Sequence, residues 1–336
     1  MNQLPLLQLL ADGSFRSGDE LGGKLGVSRT AVWKAMKGIE GLGLEIHSVK
    51  GKGYRLMPPL ELLDRDQIMR QLGRGNRRAI RELELLMTVD STNSHAMRRI
   101  QVNNLELTSG DIYVCIAEQQ TGGRGRRGRA WVSPFGTNMY LSVVREFSSG
   151  VVALEGLSLV VGLSLVQALK ECGACGLSLK WPNDVLCEGR KLAGILLEMT
   201  GDVTGNCQVI IGIGLNINSA SRYMAAVDQP WTDLYSLVPG QPGRNRIVGR
   251  VINHLMDAVT QFEREGFACF KGQWEALDAF RDAAVEIRGA GGSPEASGTT
   301  GIARGVNEQG ALLLETDTGV RIFNGGEVSM RMKGSG

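Results

Sequence analysis

Between Leu177 and Leu215 three apolar segments, Leu177–Lys180, Leu192–Met199 and Val209–Leu215, follow one another with turn residues and no helical period between them. Parallel neighbours in a sheet need a crossover of a dozen or more residues, usually a helix, whereas antiparallel neighbours can be joined by a turn. This stretch therefore argues against a doubly wound parallel sheet and for a mostly antiparallel or mixed one. Glu84–Thr88, Ile112–Ala117 and Asn138–Val144 read as further strands; Asn93–Ile100, Val151–Glu171, Arg246–Glu265 and Phe270–Phe280 read as helices. The expected fold class is α/β in the α+β sense, with a mixed-sheet body over 82–281. The last part, 282–333, holds only short strands: Val285–Arg288, Gly301–Val306, Ala311–Glu315, Val320–Phe323 and Glu327–Met330. These predict a small β-barrel or sandwich, and the Gly, Ser and Ala of Gly289–Thr299 predict a mobile loop within it.

The first sixty residues read as a separate unit. Leu4, Leu6, Leu7, Leu9 and Leu10 suggest a short helix that ends near Asp12-Gly13. Ser17-Gly-Asp-Glu20 is a capping-box pattern, opening a second helix that runs to Gly26. Ser28 caps a third helix, with Val32, Met36 and Ile39 at core spacing. Two helices joined by so short a turn form a helix-turn-helix. Leu44–Val49, the turn Lys50-Gly-Lys-Gly53 and Tyr54–Leu56 then predict a wing. From Ser28 to Arg55 there are six basic residues against Glu40 and Glu45. Ser28, Arg29, Thr30 and Lys34 on the third helix and Lys50 and Lys52 on the wing are the expected DNA contacts. A solvated basic surface on a protein-binding winged helix is the alternative, and the sequence leaves Trp33 open between core and base contact. Pro58-Pro59 ends the unit, and 61–81 reads as a connecting helix and loop.

A length of 336 residues suits roughly two or three domains. The net charge of +2 means that any nucleic-acid site must come from local clustering. The longest apolar stretch, Val151 to Leu169, carries Glu155, Ser158, Ser164 and Gln167, which favours a buried helix over a membrane span. With no secretory signal, a cytoplasmic protein without a membrane partner is expected. Cys172-Gly-Ala-Cys175 closes a helix rather than opening one, and His47, His95 and His254 are scattered. The six cysteines read as reduced and structural, and no metal site is expected from them.

Gly122-Gly-Arg-Gly-Arg-Arg-Gly-Arg-Ala-Trp131 contains G-x-G-x-x-G, but Pro134, Phe135 and Gly136 and then a strand follow it, where a dinucleotide fingerprint requires a helix. No phosphate loop ending in Gly-Lys-Ser/Thr is present. Arg124, Arg126, Arg127 and Arg129 lie in this segment with no acid among them. They read either as a loop that orders over a phosphorylated or acyl-phosphate ligand, or as a flexible basic surface loop. Lys180-Trp-Pro-Asn-Asp184 ends one strand and turns into the next, so that Lys180 and Asp184 either share a cleft or form a surface ion pair. Lys191 enters an apolar strand at a cleft edge, and the glycines of Gly212-Ile-Gly-Leu-Asn-Ile-Asn218 allow close approach by a flat ring.

Taken together with Asp90-Ser-Thr-Asn93 and Lys191-Leu-Ala-Gly194, these segments resemble, in order and spacing, the biotin protein ligases. With its head the chain is similar to the bifunctional ligase that is also the biotin operon repressor, and the resemblance covers nearly the whole sequence. It implies a central domain like class II aminoacyl-tRNA synthetases and a C-terminal SH3-like barrel. It implies that biotin and ATP, with Mg²⁺, give biotinyl-5′-adenylate, which then acylates a lysine of a biotin carboxyl carrier protein. It also implies a homodimer, when adenylate-bound, on operator DNA. By the same resemblance Arg124, Arg126, Lys191 and Asp184 carry the chemistry. Ser91, Thr92, Asn93, Gln120, Gly123, Gly125, Arg126, Arg127, Lys191 and Gly194 match biotin positions. Arg124, Trp131, Lys180, Asn183, Asn216, Trp231 and Arg331 match nucleotide positions. Ala130 departs from the family, where a polar residue is common before the tryptophan. Two other readings remain: a ligand-sensing transcription factor with little ligase activity, and a ligase for another acyl group such as lipoate.

Overall fold

The computed structural model describes residues 3–102, 105, 107–108, 110–148, 154–201, 205–219, 221–225, 227–289, 298–325 and 328–332. In the head, α1 (Leu4–Leu10), α2 (Gly18–Leu25) and α3 (Arg29–Glu40) pack together. Ser17 accepts the Glu20 amide at 3.0 Å and Ser28 accepts the Ala31 amide at 3.2 Å, so both expected caps form. Gly26, left-handed at φ 64°, makes the turn between α2 and α3. The wing is the antiparallel pair β1 (Glu45–Val49) and β2 (Gly53–Met57). Leu6, Leu7, Leu10, Leu21, Val32, Met36, Ile39 and Leu56 form the core of the head, and Phe135, with Leu60, Leu62 and Met87 beside it, extends that core into the body.

Two short helices, α4 (Arg65–Arg70) and α5 (Arg74–Ala79), connect the head to the body. The body follows as β3 (Ile80–Val89), α6 (Thr92–Gln101), β4 (Ile112–Gln120), β5 (Met139–Phe147), α7 (Leu157–Glu171), β6 (Leu177–Lys180), β7 (Asp184–Cys187), β8 (Arg190–Gly201), β9 (Cys207–Leu215), α8 (Ser221–Met224), α9 (Arg244–Glu265) and α10 (Lys271–Glu275). Its seven strands lie in the order β3-β4-β5-β9-β8-β7-β6, and only β3 and β4, joined through α6, are parallel. The mixed sheet expected from the bare strand-turn-strand run is present. α7 is apolar nearly all round because it is buried nearly all round, with α9 and the sheet as its neighbours. No helix among the described residues is long and apolar enough to cross a membrane.

Several boundaries differ from the sequence reading. α7 starts at Leu157 rather than Val151, and residues 151–153 lie outside the described residues. α10 has five residues where an eleven-residue helix was expected over Phe270–Phe280. The chain leaves the helix because Leu179 donates to Leu277 O at 2.7 Å and Ala279 donates to Leu179 O at 2.9 Å, docking 277–279 on the edge of β6. β3 already begins at Ile80, inside the expected connector. Cys172 caps the C-terminus of α7, and all six cysteines are free thiols.

The C-terminal unit is five antiparallel strands, β10 (Ala284–Arg288), β11 (Thr299–Val306), β12 (Leu312–Thr316), β13 (Gly319–Phe323) and β14 (Ser329–Met332), in the order β13-β12-β11-β10-β14. Glu327 and most of the expected Gly289–Thr299 loop (290–297) lie outside the described residues. Val285, Ile287, Leu312, Leu314, Phe323 and Met330 join the core of the body, and Trp181 Nε1 donates to Gly310 O at 3.1 Å.

Candidate active site

The site is laid out by glycines. β8 and β9 pair with Gly194 opposite Gly214, Leu196 opposite Gly212 and Glu198 opposite Ile210. Side chains alternate along a strand, so Gly194, Leu196 and Glu198 share one face with Gly212 and Gly214. Three absent side chains leave a trough in that face. A Cβ on Gly214 would lie 2.4 Å from Trp131 Cε2, and one on Gly194 would lie 3.2 Å from Trp131 Cζ3. The flat ring admitted by the glycines is the chain's own indole. A Cβ on Gly212 would lie 2.3 Å from Asn93 Oδ1. Asn93 is buried; its Oδ1 accepts from Ser142 Oγ at 2.6 Å and its Nδ2 donates to Glu198 at 2.8 Å and to Leu196 O at 3.3 Å. With both ends of its amide engaged, Asn93 builds the floor of the cleft.

The rest of the floor comes from the junction of β3 and α6. Ser91 caps α6, while the Thr92 amide and hydroxyl both donate to Gln120 Oε1, at 2.8 and 3.1 Å. Gln120 Nε2 donates to Ser133 Oγ at 3.1 Å, and Ser133 Oγ donates to Trp131 O at 2.9 Å. A Cβ on Gly123 would lie 2.5 Å from Trp131 O and 2.6 Å from Ser133 Oγ, so this crossing accepts only glycine.

The arginine loop is a folded hairpin in this structure. Trp131 donates to Gly123 O at 2.8 Å and Gly125 to Arg129 O at 2.7 Å. Arg124 donates to Ser94 Oγ at 2.9 Å and pairs with Glu198 at 3.1 Å. Arg126 donates to Asn183 Oδ1 at 3.2 Å and to the carbonyls of Gly325 and Val328. Arg127 donates to Ser329 Oγ at 2.9 Å and Gly289 O at 2.8 Å. The loop thus spans from the floor to the C-terminal sheet, with Gly125 at the base of its 3₁₀ turn.

Across the cleft, Lys191 Nζ sits 2.7 Å from Asp184 Oδ1 and 5.5 Å from the centre of the Trp131 ring. Lys180 lies 5.4 Å from the Phe280 ring centre, and burial pushes its pKa down while Asp184 pulls it back up. The Lys180–Asp184 turn is held open from behind by Asn183 Nδ2, which donates to Ile195 O at 2.7 Å. Of the two sequence readings of this turn, the shared cleft is the one present. The cleft measures about 930 Å³, and its walls include Arg124, Arg126, Arg127, Arg129, Lys180, Lys191 and Arg331 against Asp184 and Asp228. Seven cations facing two acids describe a receptor for a polyanion.

Beside it is a recess lined by Trp131, Lys191, Asn216, Val227 and Trp231. Lys191 donates to Pro230 O and Thr232 donates to Lys191 O, which lays 230–232 along β8 and delivers Trp231 to the recess. Asn216 Nδ2 donates to Thr232 O at 3.1 Å, but Asn216 Oδ1 and Trp131 Nε1 are buried without a partner among the described residues. A buried acceptor and a buried donor left unpaired beside aromatic walls fit a flat heteroaromatic ligand with its own donors and acceptors.

Three family models match in chain order: an HTH domain over residues 2–55, the biotin/lipoate A/B protein ligase family over 86–216 and the biotin protein ligase C-terminal domain over 292–331. The bifunctional ligase/repressor BirA of Escherichia coli (strain K12) is 41% identical over 328 residues, covering 98% of this chain and 97% of that one. The chain belongs to the biotin protein ligase family. The BirA protein of Salmonella typhimurium is likewise 41% identical over 98% of this chain and 97% of its own, and a biotin–[acetyl-CoA-carboxylase] ligase of Mycobacterium tuberculosis is 34% identical over 82% of this chain and 97% of its own. Among solved structures, the Aquifex aeolicus biotin protein ligase in complex with biotin and ATP matches with a TM-score of 0.62 at 30% identity, over 75% of this chain and all of that one.

The cleft gathers Ser91, Thr92, Gln120, Arg124, Gly125, Arg126, Arg127, Trp131, Lys180, Asn183, Asp184, Lys191, Gly194 and Arg331, all singled out in the sequence. Asn93 reaches it as framework, and Asn216 and Trp231 line the recess instead. On the head, Arg29, Thr30, Lys34 and Lys37 of α3 are exposed with Trp33, which at 52% exposure is not a core residue. Ser28 is exposed too, although its hydroxyl already accepts the Ala31 amide as the cap of α3, and Lys50 and Lys52 sit at the tip of the wing. Sequence reasoning passed over Glu198, although a single acid in the apolar run Ile195-Leu-Leu-Glu-Met199 was a visible signal. It also passed over a buried network in which Arg244 pairs with Glu118 and donates to the carbonyls of Glu61 and Gly136.

Proposed function

We propose that the chain activates biotin with ATP to biotinyl-5′-adenylate and pyrophosphate, then transfers biotin to the ε-amine of a lysine on a biotin carboxyl carrier protein, releasing AMP. The observation that carries this reading is the joining of the cationic cleft to the recess with its unpaired Asn216 Oδ1 and Trp131 Nε1. The recess, at about 40 Å³, does not enclose an adenine ring but offers its polar edge to one lying at its mouth, and the cleft suits phosphates and a carboxylate.

Biotin's carboxylate is already ionised near neutral pH, so the first step needs no general base. It needs the carboxylate and the α-phosphate held in line and the developing charge met by fixed cations. Lys191, anchored on β8 and steered by Asp184, is placed for that work, with Arg124 and Arg126 on the other wall. Ser91, Thr92 and Gln120 offer the short polar groups that suit the ureido ring. This favours biotin over lipoate, whose ring has no ureido group. For the second step the incoming amine must be neutral, which a cationic, partly dry cleft promotes. The folded loop keeps water from the mixed anhydride. Among the described residues no three His, Cys, Asp or Glu side chains converge on a metal position, so Mg²⁺ would come with the nucleotide's phosphates rather than sit in a resident cage.

The head is proposed to bind operator DNA, with α3 in the major groove and Lys50 and Lys52 on the phosphates. Two copies joined in the adenylate-bound state would read two half-sites. Biotin-dependent exchange of labelled pyrophosphate into ATP tests the first step. The wild type should exchange, Lys191→Met should lose about a hundredfold or more, and lipoate should not replace biotin. Exchange with lipoate alone would overturn the choice of substrate.

A further inference from the structure

Glu198 lies outside the cleft lining but touches both parts of the site that must act together. Its carboxylate accepts from Asn93 Nδ2 at 2.8 Å, and Asn93 belongs to the first turn of α6, next to Ser91 and Thr92. The same carboxylate pairs with Arg124 at 3.1 Å, and Arg124 is secured a second time by Ser94 Oγ, also on α6. Arg124 is the first arginine of the loop, one residue from Gly123, whose carbonyl accepts the Trp131 amide. The two arms of the loop are therefore fixed relative to each other, and one of them is fixed to the floor through Glu198. Opposite Glu198 stands Ile210 rather than a glycine, and Ile210 shares a buried cluster with Ala96 of α6, whereas the glycine end meets Trp131.

We propose that Glu198 is a positioning residue that sets the loop over the adenylate by registering Arg124 against the first turn of α6. Asn93, held on three sides, fixes the Glu198 carboxylate, and Glu198 in turn fixes Arg124 beside the turn that carries Ser91 and Thr92. This proposal rests on the ligase reading above. Charge on Glu198 matters only to Arg124, because the bond from Asn93 needs an acceptor and not a charge. A glutamine keeps that acceptor in its Oε1 and loses the ion pair.

The test is a double-mutant cycle of the full-length chain with Glu198→Gln, Arg124→Ala and the pair. The primary readout is the rate at which preformed biotinyl-5′-adenylate leaves the protein, with thermal stability alongside. A partly exposed charge-assisted bond is expected to be worth about fivefold here. Adenylate should leave about fivefold faster from Glu198→Gln, at least that much faster from Arg124→Ala, which also loses its own contacts, and no faster from the double than from Arg124→Ala. Trypsin should cut the loop of Glu198→Gln in the presence of biotin and ATP, when the wild-type loop is protected. Melting temperatures should stay at the wild-type value. The proposal is overturned if Glu198→Gln retains adenylate as the wild type does, or if Glu198→Gln speeds release about fivefold further in the Arg124→Ala background. A wild type that exchanges pyrophosphate beside an inert Glu198→Gln removes this proposal alone. A wild type that forms no adenylate removes the ligase reading and this proposal with it.

Discussion

Gly212 and Gly214 sit two residues apart on β9 and face the same way, yet alanine at the two positions should do different things. At Gly212 the new Cβ would lie 2.3 Å from Asn93 Oδ1 and 2.8 Å from its Nδ2. Asn93 cannot retreat, since Ser142, Glu198 and Leu196 hold it from three sides. Overpacking of this kind costs about 1–3 kcal/mol, and each hydrogen bond broken by displacing the amide adds about 1 kcal/mol. A loss near 3 kcal/mol corresponds to a fall of roughly 6–12 °C in Tm for a unit of this size. At Gly214 the Cβ would meet the Trp131 ring at 2.4 Å, but that ring belongs to a surface loop and can swing away. Gly214→Ala should therefore cost under about 1 kcal/mol in stability while weakening nucleotide binding about tenfold or more, because the indole no longer lies on the sheet. The assays are calorimetric melting of the free protein and ATP titration in the presence of biotin. A Gly212→Ala protein that melts with the wild type, or a Gly214→Ala protein that is the less stable of the two, would refute this account of the trough.

Other consequences concern charge. Arg244 is buried against Glu118 and the backbone around Glu61, so Arg244→Met should strand a buried carboxylate and cost about 3–5 kcal/mol by denaturant titration, and adding Glu118→Leu should restore part of it. Burial lowers the Lys180 pKa below its ordinary 10.5, so the unfolded chain binds more protons between those two values and stability rises with pH across that window. Lys180→Met should therefore melt above the wild type at neutral pH, with the gap closing towards pH 10.5, while adenylate formation falls; a gap that widens with pH would contradict this. Lys34→Ala and Lys50→Ala should each lower the slope of log affinity for DNA against log salt by about 0.9, measured on operator and random duplexes alike, and an unchanged slope would place that lysine off the phosphates.

Much of this was legible in the sequence because it depends on local rules. Ser17 and Ser28 cap where they should, and the run from Leu177 to Leu215, which argued for a mostly antiparallel or mixed sheet, pairs antiparallel. The cleft residues were legible as motifs because glycine, arginine and lysine are costly to keep together without a ligand to justify them. What was hidden depends on long-range partners. The segment 277–279 left its helical period because the edge of β6 offered it hydrogen bonds. Asn93 read as a ligand group, but its amide is consumed by Ser142, Leu196 and Glu198, residues 49 to 105 positions away. The loop arginines read as free until bound, whereas Arg126 and Arg127 already hold the carbonyls of the C-terminal sheet, a partner that no local pattern could announce.

One cleft, on this reading, both makes the adenylate and spends it on a protein lysine. The most direct measurement isolates the chain loaded with labelled biotinyl-5′-adenylate, mixes it with a biotin carrier domain in a single turnover, and follows label and AMP. Label should pass to the carrier lysine with one AMP released per label transferred, and Lys191→Met should never load. Adenylate that forms and stays bound while the carrier remains unlabelled would contradict this reading, and would describe a sensor rather than a ligase.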